Sequence, residues 1–306
     1  MTAKPVIIAH TPLSPWLRRG LEQSYDLCDA GAEMARDATV LVTNGAVGVD
    51  NATLSRLPAL RLIAIHGVGY EKVDVEFAQA RGIAVTITPD VLTDDVADMA
   101  VALTLATARN IARNDRMVRA GGWQAGNRVP LGRRVSGARI GIVGLGRIGH
   151  AIAQRLGAFN CPIAYHNRRE VPDSPYHYHP RLIDLARDSD VLINVAAGGL
   201  ASAKLINGAI LNALGSEGIF VNVGRGATVD EDALIEALRT GAIAGAGLDV
   251  YADEPNVPAA LIAMDQVTLQ PHQGSATLQT RMAMADLVLA NIAAHFAGKP
   301  LPTPVK

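Results

Sequence analysis

The sequence predicts an α/β fold made of two parallel-sheet units with helices on both faces of each. Three observations carry that expectation. Short apolar runs recur along the whole chain, each closed by turn residues, as strands buried on both faces are. Helical patterns alternate with these runs. One run, 138–143, leads straight into Gly144-Leu145-Gly146-Arg147-Ile148-Gly149 and then into a helical pattern through Ala158.

That strand, G-x-G-x-x-G and helix order is the context in which a glycine-rich turn takes a dinucleotide. Gly144 permits the tight turn, Gly146 lets backbone approach a pyrophosphate, and Gly149 lets helix and strand pack closely. The helix N-terminus offers N–H groups and the positive end of its dipole to the phosphates.

The 306 residues suffice for two domains with substantial cores. Apolar residues make up 49% and charged residues 19%, which suits a globular enzyme. A net charge of −1 argues against a general nucleic-acid binder or a membrane-surface protein. Two cysteines, Cys28 and Cys161, are too few for a disulfide framework, so a reducing cytoplasm is expected. The opening MTAKPVIIAH does not read as a signal peptide, and no uninterrupted apolar run is long enough to span a membrane.

The first ninety residues give candidate strands at 5–9, 39–43, 61–65 and 83–87 and helices at 13–24 and 74–80, with Gly82 as the stop signal of the latter. This is a small doubly wound, flavodoxin-like unit. After its third strand comes His66-Gly67-Val68-Gly69-Tyr70, small residues that leave backbone N–H groups open where ligands bind such sheets; a plain strand-to-helix turn reads equally well. Thr93-Asp94-Asp95 opens a long helix to about Arg119, with Thr93 as cap and Met99, Leu103 and Ala106 as its apolar stripe. Trp123, in the Gly- and Arg-rich loop that follows, packs either on a partner subunit or locally.

Six further strands, at 138–143, 162–166, 191–195, 219–223, 245–250 and 267–270, alternate with helices, one opened by Asp230-Glu231-Asp232 and stopped by Gly241. Six strands in this order after the glycine turn predict a Rossmann domain. A last helix from Ala276 to about Phe296 returns to the first unit. The expected domains are thus 1–95 with 276–306, discontinuous and substrate-binding, and 96–275, cofactor-binding.

The second strand of the Rossmann unit ends Tyr165-His166-Asn167-Arg168-Arg169. No carboxylate stands where one would hold a ribose 2′-hydroxyl; two guanidinium groups stand there instead, and Arg matches a 2′-phosphate bidentately. This favours NADP(H) over NAD(H), against the alternative of a solvated basic turn. Asn167 can bond to either cofactor.

Three strand ends carry Asn222-Val223-Gly224-Arg225-Gly226, Asp249-Val250-Tyr251-Ala252-Asp253-Glu254-Pro255 and Pro271-His272-Gln273-Gly274-Ser275. Singly, Arg225 reads equally as a surface charge, Glu254 as a loop carboxylate and His272 as a structural histidine. Together they place one Arg, one carboxylate and one His at carboxyl ends of the same sheet. Hydride transfer to a 2-oxo acid needs that set: a cation for the carboxylate and carbonyl, a proton donor for the alkoxide, and a carboxylate to orient and charge the imidazole.

On VGLGRIG at 143–149, NVGRG at 222–226, GLDVYADEP at 247–255, PHQGSAT at 271–277 and TPDVLTDDVAD at 88–98, the whole chain resembles the D-isomer-specific 2-hydroxyacid dehydrogenases, in the glyoxylate/hydroxypyruvate reductase branch that includes hydroxyphenylpyruvate-reductase-like members. The resemblance implies Arg225 as the substrate-binding, carbonyl-polarising residue, His272 as general acid/base and Glu254 as its partner. It implies Val68 and Gly69 backbone on the substrate carboxylate, and Asp249 on the nicotinamide carboxamide. Leu145 to Ile148 take the pyrophosphate and Arg168 and Arg169 the 2′-phosphate, while Ala196, Ser202, Val223, Gly224 and Gly274 complete the cofactor site. It also implies a homodimer joined through the cofactor domains.

The chain departs from the family pattern in three places. Ala196-Ala197-Gly198-Gly199 stands where relatives often carry a proline, with Ser202 still able to donate a hydrogen bond. Gln273 replaces an apolar residue beside His272. No bulky aromatic stands near Leu131. His177 and His179 lack further ligands at metal spacing, so no metal is expected. Cys161 reads as core, and Met282 and Met284, two apart on a helix, do not share a face. The expected activity is NADPH-dependent reduction of small 2-oxo acids, glyoxylate and hydroxypyruvate first. The alternatives are a reductase of larger 2-oxo acids such as hydroxyphenylpyruvate, or a cofactor-sensing binding protein of the same fold. A phosphoglycerate dehydrogenase is disfavoured for want of a regulatory extension, and a formate dehydrogenase because Glu254, not Gln, would partner the His.

Overall fold

The computed structural model describes residues 4–29 and 31–305. The chain divides into two units, 1–92 with 276–306 and 93–275. The first begins β1 (Val6–Ala9), α1 (Pro15–Ser24), β2 (Asp26–Cys28), β3 (Val40–Asn44), α2 (Asn51–Ser55), β4 (Leu62–His66), α3 (Val75–Ala80) and β5 (Ala84–Thr86). Its five strands are all parallel in the order β2-β1-β3-β4-β5, the flavodoxin-like order. Its helices start on side-chain caps: Ser14 accepts from Leu17 N–H, Asp50 from Thr53 N–H and Asp74 from Phe77 N–H. Strand β2 and helix α2 carry too few apolar residues to announce themselves in the sequence.

The second unit opens with α4 (Thr93–Ala108) and α5 (Ile111–Arg119). The single long helix expected over this stretch is therefore two. Asn110, left-handed at φ 54°, breaks it, and Asn tolerates that conformation better than most residues. Thr93 is the first helical residue rather than the cap. The buried stripe of α4 is Val96, Ala100, Leu103, Thr104 and Thr107; Met99 and Ala106 are only half-buried, so the expected stripe is rotated.

The unit continues with β6 (Ile140–Val143), α6 (Arg147–Gly157), β7 (Ile163–His166), β8 (His177–Tyr178), α7 (Leu182–Arg187), β9 (Val191–Asn194), α8 (Gly208–Leu214), β10 (Ile219–Asn222), α9 (Glu231–Thr240), β11 (Gly245–Leu248), α10 (Ala259–Ala263) and β12 (Val267–Leu269). All seven strands are parallel in the order β12-β11-β10-β9-β6-β7-β8. This is the Rossmann order, with seven strands where the sequence predicts six. The additional strand, β8, lies in the Tyr176-His177-Tyr178-His179 segment, where two paired residues between prolines leave no periodicity to read. Strands β6, β9 and β10 are buried throughout, which explains their unbroken apolar runs. Helix α4 packs on β11, where Gly245 and Gly247 let Thr107 and Leu103 approach. The chain then returns to the first unit as α11 (Leu278–Phe296), capped by Thr277 and packed on α1 and β4. Met284 is buried there while Met282 is exposed.

Candidate active site

The Rossmann sheet reverses its strand order between β6 and β9, and ligands of such sheets bind beyond the carboxyl ends at that point. Gly144 leaves β6 at φ 102°, and a Cβ there would lie 2.9 Å from Ala196 N. Gly149, in the first turn of α6, packs directly on the Gly144 carbonyl, leaving no room for a side chain. A Cβ on Gly146 would meet nothing within 4 Å, so the space above the turn is open. Gly146 caps α6 without a side chain, and the first intrahelical bond is His150 N to Gly146 O, 2.9 Å. The first-turn amides of α6 thus face an open, glycine-lined space suited to a pyrophosphate.

Asn167 serves this turn rather than standing free. Its Oδ1 accepts the Leu145 N–H at 2.7 Å, and its own carbonyl accepts the Tyr178 hydroxyl at 3.2 Å. Arg168 and Arg169 are exposed, and among the described residues neither is held by an ion pair. Two unengaged guanidinium groups beside the turn fit a cofactor carrying a 2′-phosphate.

In the β9 loop Ser202 donates a hydrogen bond, and it does so within the loop itself. The Ser202 hydroxyl lies 2.8 Å from Ala197 O and 3.1 Å from Gly199 O, so its hydrogen is engaged by its own loop and braces it where a proline is absent. Ala196, half-buried, lies against Gly144 and Gly224.

Beyond β10, β11 and β12 the three catalytic candidates gather in one unit. His272 Nδ1 lies 2.7 Å from Glu254 Oε2, and Glu254 Oε1 accepts the Tyr251 N–H at 3.1 Å. Burial acts to raise the Glu254 pKa. The His272 hydrogen bond and charge, the Tyr251 amide and the Arg225 guanidinium together outweigh it, and the carboxyl sits below its ordinary value. Arg225, half-buried, bonds the Gly224 carbonyl through its own guanidinium at 2.7 Å. Gly226 packs against the Tyr251 carbonyl and the Ala252 amide so tightly that only glycine fits, which docks the Arg225 loop on the Glu254 loop.

Asp249 is 2% exposed and accepts two amides: Gln273 N to Oδ1 at 2.6 Å and Gly274 N to Oδ2 at 2.8 Å. Its backbone carbonyl accepts His272 N–H at 2.9 Å. Both carboxylate oxygens are therefore committed to the backbone that carries the histidine. Burial raises the pKa of this carboxyl, against those two amides. His272 itself is left-handed at φ 54°, a conformation this clamp maintains. The Gln273 side chain folds back onto Pro271 O at 3.0 Å and does not touch the imidazole nitrogens. Tyr251, its hydroxyl 2.9 Å from Gln270 O, has a pKa pushed up to about 12, chiefly by burial.

In the first unit, the amides of Val68 and Gly69 follow β4 and take part in no hydrogen bond among the described residues, while Gly67 N bonds Ile65 O and Gly67 O accepts Thr88 N–H. His66, at the end of β4, has a buried Nε2 without a hydrogen-bond partner among the described residues; burial and then the Arg281 charge lower its pKa, against a hydrogen bond with the Arg281 backbone. Sequence reasoning passed over His66, and also over Asn194, Thr228, Glu231 and Tyr251. Glu231 Oε1 accepts the Ala252 amide at 3.1 Å, bracing the Glu254 loop. Such side-chain-to-backbone bonds have no spacing signature. Among the described residues no cluster of metal-ligating side chains is present; His179 stands 3.8 Å from Asp188, with the His177 ring edge-on at 4.7 Å.

A Rossmann sheet, an open glycine turn beside two guanidinium groups, and a carboxylate–imidazole pair near an arginine define a nicotinamide-dependent oxidoreductase. Comparison with known proteins narrows this class. Residues 101–274 match the family model "D-isomer specific 2-hydroxyacid dehydrogenase, NAD binding domain". The chain is 44% identical to the 2-ketogluconate reductase of Gluconobacter oxydans over the full length of both, and 42% identical to the hydroxyphenylpyruvate reductase of Plectranthus scutellarioides over 98% of each. Among solved structures it superposes with a TM-score of 0.94 on an NADPH-dependent glyoxylate/hydroxypyruvate reductase of Sinorhizobium meliloti in complex with NADP and malonate; the two are 41% identical, with 99% of this chain and 97% of that one covered. The chain belongs to the D-isomer-specific 2-hydroxyacid dehydrogenase family.

Proposed function

We propose that the protein reduces small 2-oxo acids, glyoxylate and hydroxypyruvate first, with NADPH as the preferred reductant. The observation that carries this reading is the 2.7 Å His272–Glu254 pair with Arg225 acting on the same carboxylate. Leu145 to Gly149 hold the pyrophosphate at the α6 N-terminus, and Arg168 and Arg169 bind the 2′-phosphate. When bound, the nicotinamide supplies a hydride to the substrate 2-carbon. Arg225 binds the carboxylate of the 2-oxo acid and polarises its carbonyl, with the amides of Val68 and Gly69 taking further carboxylate contacts. His272, held by Glu254, delivers a proton to the developing alkoxide oxygen. Asp249 holds the backbone of the histidine and, with acceptor capacity left on its carboxylate oxygens, contacts the carboxamide of the nicotinamide.

A panel of kcat/KM values for glyoxylate, hydroxypyruvate, pyruvate and aromatic 2-oxo acids, with NADPH and with NADH, tests the reading. Highest values for the two small acids with NADPH support it; no turnover of any 2-oxo acid ends it. His272→Ala is expected to abolish turnover while NADPH still binds, and wild-type turnover in that variant would remove the histidine from the reaction. The likeness to a 2-ketogluconate reductase supports a second reading, in which the substrate is a polyhydroxy 2-oxo acid; adding 2-ketogluconate to the panel decides between them.

The same reading includes a homodimer formed through the cofactor-binding unit, in a reducing cytoplasm. Helix α5 buries none of its residues within the chain, and Ile111, Val118, Trp123 and Leu131 are exposed along this stretch.

A further inference from the structure

The loops that present Arg225 and Ala196 are joined beneath by three polar side chains without access to solvent. Asn194, Asn222 and Thr228 are 0%, 1% and 0% exposed. Asn194 ends β9 and Asn222 ends β10, and the two are register partners on adjacent parallel strands. Asn194 Nδ2 donates to Asn222 Oδ1 at 3.0 Å and to Thr228 Oγ1 at 2.7 Å, using both of its hydrogens. The outputs of the network are backbone atoms. Asn194 Oδ1 accepts Ala196 N–H at 3.3 Å, and Asn222 Oδ1 accepts Gly224 N–H at 3.1 Å. Thr228 donates its hydroxyl hydrogen to Arg225 O at 2.6 Å, and Asn222 Nδ2 reaches the same carbonyl at 3.4 Å.

A buried polar network of this kind fixes geometry rather than adding much net stability, since apolar side chains fill such a site about as well. Each member is satisfied by another member or by the backbone of the two strand-end loops. The Thr228 hydroxyl is the link of most consequence, because it is at once an acceptor for Asn194 and the shortest bond to the Arg225 backbone.

We propose that Thr228, with Asn194 and Asn222, is a positioning residue for the reaction: it sets the Arg225 carbonyl, and through it the direction of the guanidinium that meets the 2-oxo acid. This rests on the role of Arg225 proposed above. Valine matches threonine in shape and removes the hydroxyl. Thr228→Val is expected to lower kcat/KM for glyoxylate about ten- to hundredfold, since small misplacements of a binding group are that damaging. The NADPH dissociation constant should stay within about twofold. Thr228→Ser, which keeps the hydroxyl, should recover most of the loss. In an Arg225→Lys background, Thr228→Val should have little further effect, because the group it positions is already replaced. Amide exchange should rise in 223–226 of Thr228→Val while α6 stays protected. Thr228→Ala gives the same comparison if the valine variant folds poorly. Kinetics and exchange unchanged in Thr228→Val, a serine variant as impaired as the valine one, or losses that add fully to Arg225→Lys would each overturn the proposal. If the wild type reduces no 2-oxo acid, the proposed reaction fails, and the exchange data alone then decide whether the hydroxyl sets the Arg225 loop.

Discussion

At the scale of single residues, the site depends on how each charged group is held. Glu254 is a half-buried carboxylate whose pKa lies below its ordinary value, against burial, because of His272, the Tyr251 amide and Arg225. A depressed carboxyl pKa adds stability above the unfolded value, near 4.3, and that stability is lost as pH falls through the lower folded value. Glu254→Gln is therefore expected to lower the melting temperature near neutral pH, with the difference from wild type shrinking below about pH 4. Thermal scans across pH check this, and a difference independent of pH would deny the ion pair its role. Asp249 presents the opposite case. Its raised pKa reflects burial, and it persists because two amides need an acceptor each. In Asp249→Asn one of these amides faces an NH2 group, and a buried donor is left unpaired at about 1–3 kcal/mol. The expected outcome is a lower melting temperature together with a fall in kcat; an unperturbed variant would show that the clamp is dispensable. The sequence pointed to Arg225, Glu254 and His272 because those residue types share a chemistry. It pointed to Asp249 for a cofactor contact and to Ser202 as a hydrogen-bond donor, but not to the backbone groups that each of them also holds in the structure. Those commitments arise from loops brought together by the sheet, which no local pattern records.

At the scale of elements, the strands were legible because β6, β9 and β10 are buried on both faces and carry unbroken apolar runs. Strand β8 and the division of the long helix were not. Both depend on one or two residues: His177 and Tyr178, paired to β7, and Asn110, left-handed between α4 and α5. The break at Asn110 has a testable energetic signature. A β-carbon without a side-chain amide fits the left-handed region poorly, so Asn110→Ala is expected to destabilise by about 1 kcal/mol. The Asn110 Nδ2–Pro130 O bond, 3.3 Å, is lost as well. Urea denaturation should show a lower midpoint with an unchanged slope. A midpoint equal to wild type would mean that α4 and α5 join without strain. Gly226 is another single residue on which two elements depend. Gly226→Ala drives a Cβ into the Tyr251 carbonyl and should separate the Arg225 and Glu254 loops, at about 1–3 kcal/mol of stability and with loss of turnover.

At the scale of the whole molecule, the two sheets follow one rule: each carries its candidate ligand groups beyond the carboxyl ends of its strands. What differs is the electrostatics. The Rossmann unit offers an open helix N-terminus and two guanidinium groups, and the first unit offers backbone amides beside a half-buried histidine. With a net charge of −1 the protein attracts anions only where such groups are gathered, so on the proposed reading cofactor choice is a local matter of Arg168 and Arg169. An aspartate at 168 would repel a 2′-phosphate and accept a ribose 2′-hydroxyl. Arg168→Asp is expected to reduce the NADPH over NADH ratio of kcat/KM by at least about tenfold, since one lost charge-assisted contact is worth about 1.5–3 kcal/mol. The loss should appear in the KM for NADPH rather than in kcat, because the phosphate is remote from the reacting carbon and its binding is uniform along the reaction. Raising ionic strength should narrow the wild-type ratio towards that of the variant, because these guanidinium groups are exposed and salt screens them. A ratio that moves neither with the substitution nor with salt would assign cofactor choice to other residues of the unit.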